Sequence, residues 1–482
     1  MIVIHEYAGR DVAIYGLGRT GISAARALMA GKARVHAWDD SPDTRARAEA
    51  EGIPLADLNK MDWQGFAALV LSPGIPLYFP QPHRLVKMAG MMGVPVIGDV
   101  ELLARAIGAL PERGRPRVVA ITGTNGKSTT TALIGHILKE AGLDVRVGGN
   151  IGTGVLDLAP LRSHAVYVLE LSSYQLDLVK SLRCNVAVWL NLTPDHLDRH
   201  GDMAGYRAAK FRIFQNMTPA DTAVIGVDSL DMEAVSLEVS QIAPGPRITE
   251  ISARFALPAG VSVVGATLHD GTEPYGRRVG SVDGLDRLPG QHNHQNIAAA
   301  FAACRALGLA AETIMDALRT FGGLAHRLET VAQIEGVRFV NDSKATNADS
   351  TQQALKAYPR VYWIAGGKAK SDGIDPLAPL FPRVVKAYLI GEAQERFAAT
   401  LQGHVPVQRC GVMESAVRAA FRDARESGET APVVLLSPAC ASFDQFRDFE
   451  HRGEEFRRAV LALGGAPVSA APMLPEERTA AR

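Results

Sequence analysis

Arg117-Val-Val-Ala-Ile-Thr122, then Gly123-Thr-Asn-Gly126-Lys127-Ser128, then Thr129-Thr-Thr-Ala-Leu-Ile134, is one continuous run near the middle of the chain. Its first part is apolar and β-branched, as a strand buried on both faces requires. Its last part opens a helix. Between them, glycines let the backbone wrap closely round an anion, and the amides of a helix N-terminus point at it. Lys127 offers a point charge to the outer phosphates of a nucleotide, and the Ser128 hydroxyl suits Mg2+. The usual phosphate loop has four residues between its glycines, whereas only Thr124 and Asn125 stand here. A glycine-rich turn with a solvated lysine is the competing reading, and the strand before and helix after weigh against it.

Short β-branched runs alternate with helical stretches on both sides of this loop, the pattern of an α/β protein with parallel sheets. Upstream, strands are expected at Asp11–Tyr15, Ala33–Trp38 and Ala67–Leu71, and Ala109–Pro116 reads as a linker. The middle block carries further buried strands at Val166–Glu170 and Asn185–Leu190, then a mixed, turn-rich stretch from Asp228 to Leu288 that reads as a β excursion without an assigned role. The last block has strands at Val337–Val340, Val361–Ala365 and Pro432–Leu436, and its Pro/Ala-rich residues from about 464 read as a frayed tail.

The 482 residues correspond to about three domains of ordinary size. Lysine plus arginine total 51 and aspartate plus glutamate total 51, so the net charge is zero, which argues against nucleic acid as a partner. The cysteines (Cys184, Cys304, Cys410, Cys440) are scattered without a CxxC pair, so neither a disulfide framework nor a zinc ribbon is expected. The opening MIVIHEYAGRDVAIYG lacks the marks of a leader, and no apolar run approaches the roughly 18 residues of a membrane span. A cytoplasmic protein without membrane insertion is the expectation.

Other stretches carry chemistry. Glu170 closes an apolar strand, where a carboxylate can help a phosphate loop hold its metal; a surface glutamate at a strand end is the alternative. Gly16-x-Gly18-x-x-Gly21, with Asp39 and Asp40 about 20 residues on, fits the dinucleotide fingerprint. It supports a pyrophosphate at a helix N-terminus more firmly than a nicotinamide. His196-Leu-Asp-Arg-His200 admits three readings: a zinc-binding histidine pair, a polar loop, or Mg2+ chemistry beside the phosphate loop. Asn341–Asn347 and Leu436–Phe446 each follow a strand, and such strand ends form the ligand crevice of parallel sheets.

Taken together, Thr122–Thr130, Glu170–Gln175, Asn191–Arg199, Tyr206–Lys210, Gly290–Asn296, Ala325–Glu329, Asn341–Asn347 and Leu436–Phe446 resemble the Mur ligase family across nearly the whole chain. The last two stretches resemble its D-glutamate-adding branch. The resemblance implies three domains: a Rossmann-like UDP-substrate-binding domain over 1–110, a P-loop-type ATP-binding domain over 111–324, and a Rossmann-like amino-acid-binding domain over 325–482. It implies an ATP-dependent ligase, acting as a monomer, that joins D-glutamate to UDP-N-acetylmuramoyl-L-alanine through an acyl phosphate.

By the same resemblance, Gly123, Thr124, Asn125, Gly126, Lys127, Ser128 and Thr129 hold ATP, with Asn296, Arg327 and Asp342 on the nucleotide side. One Mg2+ falls to Ser128 and Glu170, and a second to His196 and a carbamylated Lys210. Gly18, Thr20, Gly21, Ser72, Pro73 and Gly74 face the UDP moiety, Asn150 faces the muramoyl part, and Gln175 also binds substrate. Thr346, Lys370, Ser442 and Phe449 receive D-glutamate, and Lys344 stands near the transferring phosphate. Two departures matter: Gly366–Ser371 offers both Lys368 and Lys370 where the pattern centres on one lysine, and Phe443 replaces an aliphatic residue. Another amino-acid-adding or folylpolyglutamate-type ligase, an NAD-dependent oxidoreductase and a non-catalytic nucleotide-binding regulator are the competing classes.

Overall fold

Three runs of alternating strand and helix close into three sheets. The computed structural model describes residues 1–273, 276–285, 287, 288, 290, 292–369 and 373–464. The first sheet holds β1 (Asp11–Tyr15), β2 (Arg34–Trp38), β3 (Phe66–Leu71) and β4 (Val96–Ile97), all parallel, in the order β2-β1-β3-β4. Strand order reverses between β1 and β3, so the turns after these two strands flank the crevice where such sheets bind ligands.

The second sheet contains β5 (Arg117–Thr122), β6 (Val145–Gly149), β7 (Val166–Glu170), β8 (Val186–Trp189), β9 (Thr222–Gly226), β10 (Arg247–Ser252), β11 (Val261–Val264), β12 (Thr267–Asp270) and β13 (Arg277–Ser281). Its order is β13-β12-β11-β10-β9-β8-β5-β7-β6, parallel except at β11–β12 and β12–β13. The phosphate loop therefore leaves β5 between β7, which ends in Glu170, and β8, which leads to His196. The expected β excursion consists of the helix Leu230–Ser240 and β10–β13, which widen this sheet.

The third sheet holds β14 (Glu329–Ile334), β15 (Val337–Asn341), β16 (Val361–Gly366), β17 (Val384–Ile390), β18 (Val407–Gly411) and β19 (Val433–Leu436). Its order is β14-β15-β19-β16-β17-β18, with only edge strand β14 antiparallel. The carboxyl ends of β15, β19 and β16 thus lie side by side, and each feeds a polar loop the sequence singles out.

The first two sheets belong to one compact unit, Met1–Asp283 with His294–Arg319; the other comprises 284–293 and the chain from Thr320. Within the first unit, buried Glu101 accepts the backbone N–H groups of Lys180 (2.7 Å) and Ser181 (2.9 Å), joining the two sheet domains. A carboxylate taking several donors is a strong, directional tie. Among the described residues, no helix is long and apolar enough to cross a membrane.

Candidate active site

Gly126 caps the helix Lys127–Glu140 with φ +83°, a left-handed conformation that favours glycine. A Cβ there would also run into Asn296 Oδ1, so the turn has no room for a side chain. Asn296 is buried against the loop and accepts from Thr130 Oγ1 at 3.2 Å. The loop's other side is held by the segment after β8. Thr124 N–H donates to Asn191 O (3.1 Å), Thr124 Oγ1 accepts Thr193 N–H (3.0 Å), and Asn125 N–H donates to Asn191 Oδ1 (2.9 Å). Ser128 and Thr129 are buried at the helix start, a place whose free N–H groups and dipole favour negative charge.

Two lysines converge on one carbonyl. Lys127 Nζ donates to Gly123 O (2.9 Å) and Thr124 O (2.8 Å), and Lys210 Nζ donates to Gly123 O (2.8 Å). Lys210, on the helix Met203–Phe211, is 1% exposed and lies 4.6 Å from the Tyr206 ring centroid. Burial, and then repulsion from Lys127, hold its ammonium well below the usual lysine range; Asp195 and Glu170 oppose the shift. Glu170 pairs with Ile121 in the sheet and is buried, its Oε1 accepting from Asn150 Nδ2 at 3.0 Å. Gln175 is engaged in a capping box with Ser172, which starts the short helix after Glu170.

His196 adopts φ +56°, a strained setting of the kind found at functional sites. Its Nδ1 lies 3.0 Å from Tyr174 Oη and its Nε2 3.4 Å from Asp195. His200 instead turns to Ser173 Oγ (2.9 Å) and Asp177 (3.5 Å), and burial pulls its pKa down to about 4. The two histidines thus face different partners, which disfavours the zinc-pair reading. Tyr174 is a site residue that sequence spacing did not expose; only sheet order brings it to His196. Arg199 links this region to the first sheet, donating to Ile75 O at 3.0 Å.

In the first sheet, Gly18 caps the helix Arg19–Ala30, and a Cβ at Gly21 would strike Gly16 O. Thr20 Oγ1 lies 3.4 Å from Ser72 Oγ, bringing together the glycine turn and the Ser72-Pro73-Gly74 turn. Asp39 Oδ2 accepts Leu17 N–H at 2.8 Å and Oδ1 accepts Ser41 N–H at 2.9 Å. The carboxylate that a dinucleotide fingerprint assigns to a ribose is here tied to the glycine turn through Leu17 and to its own turn through Ser41.

In the second unit, Asp342 is buried after β15, accepting Ser437 Oγ (2.8 Å) and Leu328 N–H (3.2 Å). Burial pushes its carboxyl up to about 7, against the opposing charge of Arg327. Lys344 Nζ stands 5.0 Å from the Phe449 ring centroid, and Thr346 N–H donates to Lys344 O at 2.9 Å. Ser442 is buried beside Ala441, which exchanges backbone hydrogen bonds with Lys368 (2.9 and 3.1 Å). Lys370 lies outside the described residues. Phe443 is 70% exposed.

Arg452 holds these loops together, and no sequence pattern distinguishes it from the exposed arginines around it. Fully buried, it donates to Ser343 Oγ (3.0 Å), Ser343 O (2.8 Å) and Cys440 O (3.0 Å), and burial lowers its pKa to about 10, leaving it charged at neutral pH. Arg452→Met strands buried acceptors on two loops and is expected to cost about 3 kcal/mol, read from the urea midpoint of the second unit's transition. An unchanged midpoint would remove this role.

Residues 121–304 match the Mur ligase middle domain, and residues 326–440 match the Mur ligase, glutamate ligase domain. A UDP-N-acetylmuramoylalanine--D-glutamate ligase of Caulobacter sp. (strain K31) is 56% identical over 467 residues, covering 96% of this chain and 98% of that protein. The ligase of the same name from Rhodospirillum rubrum is 49% identical over 477 residues, covering 98% of each. Among solved structures, the UDP-N-acetylmuramate-alanine ligase MurC of Thermotoga maritima has a TM-score of 0.58 at 16% identity, covering 94% of this chain and 100% of that one. MurF of Acinetobacter baumannii has a TM-score of 0.56 at 18% identity, covering 86% and 87%. At those identities the likeness is one of fold, α/β in three sheet domains. With relatives about half identical along nearly its full length, the chain belongs to the Mur ligase family.

Proposed function

We propose that this chain is an ATP-dependent, ADP-forming amide ligase that adds D-glutamate to UDP-N-acetylmuramoyl-L-alanine, working as a monomer in the cytoplasm. The observation that carries the reading is near-full-length identity of 56% to a D-glutamate ligase. The site's chemistry agrees. A carboxylate is a poor electrophile, so the alanyl carboxylate takes the γ-phosphoryl group of ATP before the amine of D-glutamate attacks. The tetrahedral intermediate then loses phosphate, and the amine's proton leaves as the amide forms. Phosphoryl transfer rests on positioning and on charge aimed at the moving group.

The phosphate loop, with Lys127, binds the ATP phosphates, and Asn296, Arg327 and Asp342 the nucleoside side. The Ser128 hydroxyl and Glu170 carboxylate are buried oxygen donors beside the loop, a set that fits a hard cation. A second Mg2+ would fall to His196 and to Lys210 as its carbamate. Bound there, Mg2+ neutralises charge on the phosphates. An ammonium cannot ligate a cation, whereas the neutral amine favoured by Lys210's burial adds CO2, loses a proton and becomes an oxygen donor.

Gly18, Thr20, Gly21 and the Ser72–Gly74 turn would receive UDP, with Asn150 toward the muramoyl group and Gln175 also on the substrate. Thr346, Lys370, Ser442 and Phe449 would receive D-glutamate, with Lys344 near the transferred phosphate. Compensating cations suit a dianionic amino acid.

Phosphate release is expected only when ATP, UDP-N-acetylmuramoyl-L-alanine and D-glutamate are all present. Equal release with L-lysine or diaminopimelate would move the chain to another amino-acid-adding branch. ATP binding without turnover would make it a regulator.

A further inference from the structure

The geometry points to Asp228 as a positioning residue for the phosphate loop, acting through two side-chain amides; this rests on the proposal that the loop binds ATP. Asn125 N–H donates to Asn191 Oδ1 (2.9 Å), and Asn191 Nδ2 returns a bond to Asn125 O (3.2 Å), so one amide grips both faces of a loop residue. Asn191 Nδ2 also donates to Gln295 Oε1 (2.9 Å), and Gln295 Nε2 donates to Asp228 Oδ2 (2.9 Å). Asp228 follows β9 and opens the stretch to which the sequence assigns no role.

An amide can present oxygen or nitrogen to a neighbour by turning over, so its orientation is set by the groups around it. Here both ends of the relay have fixed polarity. A backbone N–H at Asn125 can only donate. At the other end Asp228 receives Ser252 Oγ at Oδ1 (2.6 Å), Gln295 Nε2 at Oδ2 (2.9 Å), and Ala253 N–H between its two oxygens (3.2 Å to Oδ1, 3.1 Å to Oδ2). Ser252 Oγ already accepts Arg254 N–H (3.0 Å) and Phe255 N–H (3.1 Å), so its own proton goes to Asp228. Only an acceptor on both sides satisfies this arrangement, and a carboxylate supplies it. Gln295 must then show its oxygen to Asn191, and Asn191 its oxygen to the loop. Gln295 is 9% exposed, so water does not readily substitute for a lost partner.

Asp228→Asn reverses the relay. The new side chain's oxygen stays with Ser252 and Ala253, its NH2 faces Gln295, and both amides turn over until nitrogen confronts the Asn125 N–H. Exchanging the two groups, Asp228→Asn with Gln295→Glu, restores the donors and acceptors between positions 228, 295 and 191, and leaves Ala253 N–H with the amide oxygen as its one acceptor there. The amide introduced at position 228 donates to one oxygen of the carboxylate introduced at position 295, and Asn191 Nδ2 donates to the other.

The test is ADP affinity by calorimetry on the full-length chain, with melting temperature measured alongside. Asp228→Asn is expected to weaken ADP about tenfold, and the exchange variant to return to within about threefold of wild type. Gln295→Met leaves the bonds of Asp228 to Ser252 and Ala253 in place, so it reports on the relay should Asp228→Asn fail to fold; it is expected to lose about tenfold as well. In turnover the loss should fall on KM for ATP more than on kcat. Wild-type affinity in Asp228→Asn or in Gln295→Met, or an exchange variant as weak as the single, would overturn the relay alone. A wild-type chain that binds no ADP would overturn the ATP reading with it.

Discussion

Lys127→Met is expected to reduce ligation about 10³-fold, with the melting temperature close to wild type. On the proposed reading Lys127 brings a positive charge to a loop whose other groups toward the phosphates would be neutral amides and hydroxyls, and a charge aimed at a transferring phosphoryl group is worth far more there than in water. Its Nζ rests on Gly123 O and Thr124 O at 2.9 and 2.8 Å, so the ammonium is held against the loop's own carbonyls. The substitution has a second effect. Lys127's charge adds to burial in holding Lys210's ammonium down, so its removal lets Lys210 keep its proton more readily and, on the proposed reading, would lower the fraction able to add CO2. ADP formation measured under saturating substrates, with a melting curve as control, distinguishes this from unfolding. Ligation within about tenfold of wild type would remove Lys127 from the phosphoryl-transfer step.

The fold was legible because buried parallel strands are short, apolar and β-branched. Asp11–Tyr15, Arg117–Thr122 and Val166–Glu170 coincide with β1, β5 and β7 residue for residue. The strand, glycine turn and helix around Gly126 were legible too, because the left-handed backbone there demands glycine. Sheet order adds what pattern alone could not. The His196 region carried three readings; β8 leads it beside β5, with Tyr174 at one ring nitrogen of His196 and Asp195 at the other, and His200 turned to other partners, which disfavours the zinc pair. Arg452 was illegible, because an arginine in a charged helix looks the same whether it is solvated or donates to buried carbonyls. Asp228 and Gln295 are 67 residues apart, and nothing local marks them as partners.

Lys210→Ala is expected to lower ligation below detection, a loss of at least about 10³-fold, while ADP still binds. A lysine this buried is normally avoided, since desolvation disfavours its charge, and Lys127 adds repulsion across the shared Gly123 carbonyl. Both forces favour the neutral amine, which is the form that attacks CO2; on the proposed reading the new N–C bond would turn a one-nitrogen donor into a carboxylate-like group. The same burial would shield a carbamate at Lys210 from the water and protons that reverse the addition. Removing CO2 from the wild-type enzyme should therefore depress activity, and added bicarbonate should restore it, with a carbonyl carbon resonance from ¹³C-bicarbonate tracking the recovery. The alanine variant has no amine to modify, so bicarbonate should recover nothing and the resonance should be missing. If Lys210→Ala retains near-normal ligation, the carbamate has no role. If it is inactive but the wild type shows neither bicarbonate dependence nor the resonance, Lys210 acts as an amine that orders the loop through Gly123, and the second cation must be held without it.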